Sequence, residues 1–124
     1  MNKQEQERRA LFCLNQIQLL GAVSIQSLGE YFGGFSNLFN IEETALRECG
    51  ILREAQVQAL CAGKKNRMQY LELYEKLKER EIRFVTPLDA EYPERLLHIH
   101  AYPMGLYVRG KLPAPQLPAV AVVG

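Results

Sequence analysis

Cysteine and histidine are scarce in this sequence, and no sign of charge dominates it. Cys13, Cys49 and Cys61 are odd in number, far apart and set among apolar residues at helical spacing, which suggests neither a disulfide framework nor a metal knuckle. They read as small core residues of a reducing cytosol. His98 and His100 stand two apart with no other histidine and no cysteine near them, whereas a zinc site needs more ligands at suitable spacing. They are expected at the surface or a helix end, and no metal is expected. Lys and Arg number 15 against 14 Asp and Glu, so the overall charge neither points to a polyanionic partner nor excludes one. No apolar run approaches the ~20 residues of a membrane span, and the polar, acid-bearing start from Met1 to Arg9 is unlike a secretory leader. A cytoplasmic protein without membrane association is expected. No acid pair, Ser/His/Asp set or Cys/His pair is placed for catalysis, so the chain reads as a non-enzyme without a cofactor.

What is present is the balance of a soluble globular protein, with 48% apolar and 23% charged residues among 124. From Glu5 to Arg80 the pattern is helical, broken at glycines. Ala10, Cys13, Leu14, Ile17 and Leu20 form one apolar stripe on a first helix expected to end near Gly21. Ser24 is expected to cap a second helix that buries Ile25, Leu28 and Phe32 and stops at Gly33-Gly34. A short turn follows, capped by Ser36 and anchored by Phe35, Leu38 and Phe39. Ile41 to Cys49 reads as a short helix closed by Gly50 at positive φ, which glycine adopts without steric cost. Leu52 to Cys61 is its partner, closed by Gly63. The last helix runs from about Asn66 to Arg80 and is expected to bury Met68, Leu71, Leu73, Tyr74 and Leu77. Helices this short are marginal alone, so packing must supply most of their stability.

At Glu81 the hydrophobic period falls from about four to two, and Ile82 and Phe84 alternate around Arg83 until Thr86-Pro87. Tyr92-Pro93-Glu94-Arg95 looks like a helix start that would bury Leu96, Leu97 and Ile99. Leu106-Tyr107-Val108-Arg109 alternates again. Gly110 with Pro113, Pro115 and Pro118 then leads to Ala119-Val120-Ala121-Val122-Val123, a run without a polar face that suits a parallel strand buried on both sides. The series YPERLL, Tyr102-Pro103, LYVRG and VAVVG resembles the entry to the Rossmann-like domain of the DNA-processing protein A (DprA/Smf) family. The shared features are a YPxxL helix, a proline-led strand ending in Arg-Gly, and an apolar strand running into a glycine turn. The resemblance implies an α + α/β chain. Residues 1–79 would form a small helical bundle of helix-hairpin-helix or SAM-like type, and residues 80–124 the opening of a Rossmann-like parallel sheet that is incomplete here. It also implies single-stranded DNA and RecA recombinase as partners, in a mediator that loads RecA during natural transformation without turning its ligand over.

The nucleic-acid-binding residues expected on this reading are Arg95, Arg109, Lys111 and Gly124. After Glu94 the only charged residues are Arg95, Arg109 and Lys111, and Gly124 would open a turn whose amides cradle a phosphate. Tyr92, Tyr102 and Tyr107 either add a stacking surface or pack the sheet, and packing is the commoner role. Lys64, Lys65 and Arg67 form a second basic cluster, which is either solvated surface or a phosphate contact. Two hairpins, Leu20 to Ser24 and Cys49 to Leu52, hold the position of DNA-binding turns but lack a second glycine. Val23 and Leu52 are expected where a phosphate would sit, so the hairpins read as packing elements. Two other classes remain open. One is a helical protein-interaction module, and the other is the start of a nucleotide-binding Rossmann enzyme; self-association is expected through the apolar edge of the Ala119 to Val123 strand.

Overall fold

The computed structural model describes residues 2–110. Helix α1, Lys3–Gln16, is capped by Asn2, whose side-chain oxygen accepts from the Glu5 amide at 2.8 Å. The residues of the expected stripe are all buried, Ala10, Cys13 and Leu14 on the helix with Leu11 and Phe12 beside them, and Ile17 and Leu20 beyond its end. The helix ends at Gln16, short of Gly21, because the chain folds back so tightly that Leu19 takes a left-handed φ of 72°. Helix α2, Ala22–Phe32, is therefore entered through Gly21, and Ser24 lies inside its first turn instead of capping it.

Gly33, at φ 75°, closes α2. In the 3-10 turn Ser36–Asn40 the cap position belongs to Phe35, and Phe35, Leu38 and Phe39 are buried as anchors. Helix α3, Glu43–Glu48, is followed by Gly50 at φ 75°, the left-handed position expected of it. Helix α4, Glu54–Lys65, runs through Gly63. That glycine is there for packing, since a Cβ on it would lie 2.5 Å from Ile17 Cδ1. Helix α5, Arg67–Glu79, buries Tyr74 and partly covers Leu71 and Leu77. Met68 and Leu73, expected inside, are 71% and 46% exposed. The α5 stripe that meets α1 is narrower than its sequence suggested, and these two residues fall outside it.

Strands β1, Ile82–Val85, and β2, Leu106–Arg109, pair antiparallel, with Phe84 opposite Tyr107 and Val85 opposite Leu106. Alternation gives the pair two faces. On one, Phe84 and Tyr107 meet Phe12 edge-on at centroid distances of 5.3 and 6.2 Å. On the other, Val85, Leu106 and Val108 pack with Tyr92 and, partly, with Leu96 and Tyr102. Phe84 and Met104 belong to the same core as the helices, so apolar packing continues across the change of period near residue 80.

The segment between the strands corrects the expected helix. It holds only a 3-10 turn, Glu94–His98, with Leu96 half-buried and Leu97 and Ile99 exposed. The chain leaves the helical region after this turn, Ile99 being extended at φ −95° and ψ 151° and Ala101 left-handed at φ 56°, so no α-helix propagates toward Pro103. The described residues contain this antiparallel pair; the apolar run Ala119 to Val123, expected to be a parallel strand, lies outside them.

Candidate nucleic-acid interface

Strand β2 positions the first expected contact. Leu106 and Val108 point into the small cluster and Tyr107 toward Phe12, which leaves Arg109 exposed at the strand end before Gly110 turns the chain at φ 81°. Arg95 is exposed in the Glu94–His98 turn. Leu96 docks that turn on the sheet that carries Arg109, yet the two guanidinium groups share no hydrogen-bond partner among the described residues. Neither forms an ion pair among those residues. Arg83 is different, being paired with Glu91 and donating to the Gly110 carbonyl at 2.5 Å, so it is held as a brace for the strand end. Lys111 and Gly124 lie outside the described residues.

The tyrosines near these cations pack inward. Tyr92 is buried, its hydroxyl donates to the Pro103 carbonyl at 2.7 Å, and its ring meets Tyr102 at 6.4 Å. Burial, with a smaller contribution from Tyr102, pushes the Tyr92 hydroxyl up to about 12. The Tyr107 hydroxyl accepts from Gln16 at 3.0 Å. Tyr92 is thus buried and Tyr102 and Tyr107 are half-buried, which supports the packing role over stacking.

The second basic cluster is divided in its roles. Lys64 donates to the Ile41 carbonyl, and Arg67 lies 5.2 Å from the Phe39 ring centroid, whereas Lys65 is exposed. At the first hairpin Val23 is exposed, as a side chain in a phosphate's place would be. At the second, Leu52 is buried and leaves the turn surface, contrary to expectation. Its neighbours in α4 supply the reason: Leu52, Val57 and Leu60 join one core, which draws the turn inward.

Three polar residues that the sequence did not single out hold this architecture. The buried Gln56 side chain accepts from the Arg53 amide at 2.9 Å and donates to the Leu19 carbonyl and Ser24 Oγ at 2.9 and 3.2 Å. It thus ties the two hairpins together, and only its place three residues after the N-cap Arg53 hinted at a capping role. Glu7 accepts from the amides of Phe35 and Ser36 at 2.7 and 2.9 Å. Burial pushes its carboxyl up, but the hydrogen bonds from Ser36 and Phe35 more than offset this and hold it below 4.5. Asp89 closes its own turn by accepting from the Thr86 amide at 2.8 Å and hydroxyl at 3.1 Å, and it pairs with Arg8 of α1.

His98 and His100 are exposed, and among the described residues no group of three or more His, Cys, Asp or Glu is placed to hold a metal ion. Among the same residues no helix is long and apolar enough to cross a membrane.

Residues 83–124 match the family described as DNA recombination-mediator protein A. The match covers the region that carries the ordered motif series, from the alternating strand to the final glycine. The chain is also 26% identical over 114 residues to Protein Smf of Synechocystis sp., an alignment covering 89% of this chain and 28% of that protein. Both matches support the DNA-processing protein A (DprA/Smf) family for this chain, the first through residues 83–124 and the second at 26% identity. The chain accordingly spans just over a quarter, 28%, of the length of that relative. No solved structure matches it.

Proposed function

We propose that this chain serves a single-stranded-DNA-binding recombination mediator of the cytoplasm, one that delivers DNA to RecA recombinase during natural transformation and acts by binding, not by catalysis. The observation that supports this reading most is the family match across residues 83–124, which includes the strand that presents Arg109 beside Gly110. In the proposed site Arg95, Arg109 and Lys111 contact phosphates. Gly124 begins the turn whose amides hold one more, on a parallel Rossmann-like sheet built onto the β1–β2 region. The helical half, of helix-hairpin-helix or SAM-like type, supports this sheet through Phe12.

Three cations neutralise at most about three phosphates, so this chain is expected to bind single strands weakly, with a salt slope of about −2. Fluorescence anisotropy of a labelled single strand, titrated at several salt concentrations with this chain and with one extended through a complete α/β domain, tests the reading. The extended chain should bind far more tightly and lose affinity when Arg109 is replaced by Gln. Equal, tight binding by both chains would move the site into the helical half.

A second reading, a protein-interaction module, draws on the exposed Leu19 and Val23 at the first hairpin. It requires binding to a protein partner that is insensitive to salt and lost on Val23→Asp, with no measurable affinity of the extended chain for oligonucleotides.

A further inference from the structure

Between α1, the 3-10 turn Ser36–Asn40 and the start of α5 lies an open crevice of about 440 Å³. This is within the size range of small-ligand sites. Its polar lining consists of Gln6, Arg9, Ser36, Asn37, Asn40 and Arg67, without a carboxylate. Glu7, next to Gln6 in sequence, directs its carboxylate at the amides of Phe35 and Ser36 instead.

The two arginines differ in how their charge is compensated. Arg9 is bonded to Glu5 at 3.3 Å and to Glu75 at 2.5 Å. Arg67 forms no ion pair among the described residues, and its guanidinium rests against the Phe39 ring at 5.2 Å. Stacking of this kind fixes the plane of the guanidinium and leaves its N–H edge for acceptors. Helix stability does not explain the residue either. Arg67 is the first residue of α5, whose first turn carries no acid, and a cation there opposes the helix dipole. Exposed amides of Gln6 and Asn40 stand on the same crevice as further donors.

We propose that this crevice is an anion site for a phosphoryl group, with Arg67 as its anchoring cation and Asn40 and Gln6 as supporting donors. A planar, uncompensated guanidinium with neutral amide donors suits the several acceptor oxygens of a phosphate monoester or phosphodiester better than a single carbonyl. The inference stands apart from the reading of Arg109, because it concerns other residues and requires no DNA.

The test is a nuclear magnetic resonance titration of the 124-residue chain, following the Arg67 Nε–H and the Asn40 side-chain amide. Sodium phosphate and a short oligothymidylate are added in separate arms, against sodium chloride at matched ionic strength. Saturable shifts of these signals are expected, weakened about tenfold in Arg67→Gln, the loss of one charge-assisted contact. A response to phosphate identifies free phosphoryl compounds as able to enter. A response to the oligonucleotide alone assigns the site to a nucleic-acid backbone. Circular dichroism establishes that the variant folds; if it does not, Asn40→Ala takes its place, with a several-fold weakening expected. Shifts no larger than those in chloride, or undiminished in the folded variant, would overturn the proposal. Arg109→Gln should leave the phosphate response intact, so failure here and failure of the DNA reading are separable.

Discussion

Glu7 shows how much one residue contributes when a carboxylate replaces a missing helix cap. It is a charged residue on the buried side of α1, and it is tolerated there because the Phe35 and Ser36 amides point at it. Glu7→Gln keeps the shape but loses the charge-assisted acceptor, and should cost about 1–3 kcal/mol at neutral pH, read from urea unfolding. Because the folded-state carboxyl is held below 4.5, the unfolded chain binds a proton first as the solution is acidified. The Glu7 contribution is therefore complete above the unfolded value and lost as pH falls through the lower, folded one. The gap in stability between wild type and Glu7→Gln should shrink in that acid window, and a gap constant with pH would contradict this account. Gly105 is a second position where one atom decides. An added Cβ would lie 2.2 Å from the Phe84 ring, a rigid group held by Phe12 and Tyr107. Gly105→Ala should cost about 1–3 kcal/mol, with a lower melting temperature as the readout.

The elements of the helical half depend on their turns more than on their own propensity, since several are too short to persist alone. Gly50 ends α3 at φ 75°, a conformation strained for any residue with a Cβ. Gly50→Ala is expected to destabilise by about 1 kcal/mol in a denaturant titration, because open space around the site offers no compensating contact. Unchanged or improved stability would place the end of α3 elsewhere. Gln56 acts between elements. Gln56→Leu would leave the Arg53 amide without its acceptor and release the Leu19 turn, and should speed hydrogen exchange at Arg53 while lowering stability by about 1–3 kcal/mol. In β1 and β2 the strands were legible from their period of two, but both faces are packed, Phe84 and Tyr107 against Phe12 and Val85, Leu106 and Val108 against Tyr92. The Glu94–His98 turn was not legible. Its proline-led start and apolar residues fit a helix locally, but the chain turns extended at Ile99 and left-handed at Ala101.

On the scale of the whole molecule, the helices and the β1–β2 pair share one core around Phe12. A chain ending at Arg80 would retain α1 to α5 but lose Phe84 and Tyr107 from that cluster. It tests the proposed division at residues 79 and 80: the shortened chain is expected to melt cooperatively but at a lower temperature, followed by circular dichroism. Mostly coil would mean that the helices do not form a domain of their own. The sequence by itself determined the apolar stripe that begins on α1, the left-handed Gly50, the two strands and the ordered motifs within the matched residues 83–124, because each depends on local periodicity or on a few adjacent residues. Only the tertiary structure decided that Met68 and Leu73 stay outside, that Gly63 is a packing contact, and that Gln56, Glu7 and Asp89 join distant segments. It also separated a compensated Arg9 from an Arg67 that forms no ion pair among the described residues. Burial and charge compensation are set by neighbours far along the chain, such as Ile17 against Gly63 or Phe39 beneath Arg67, and no local pattern encodes which neighbours arrive.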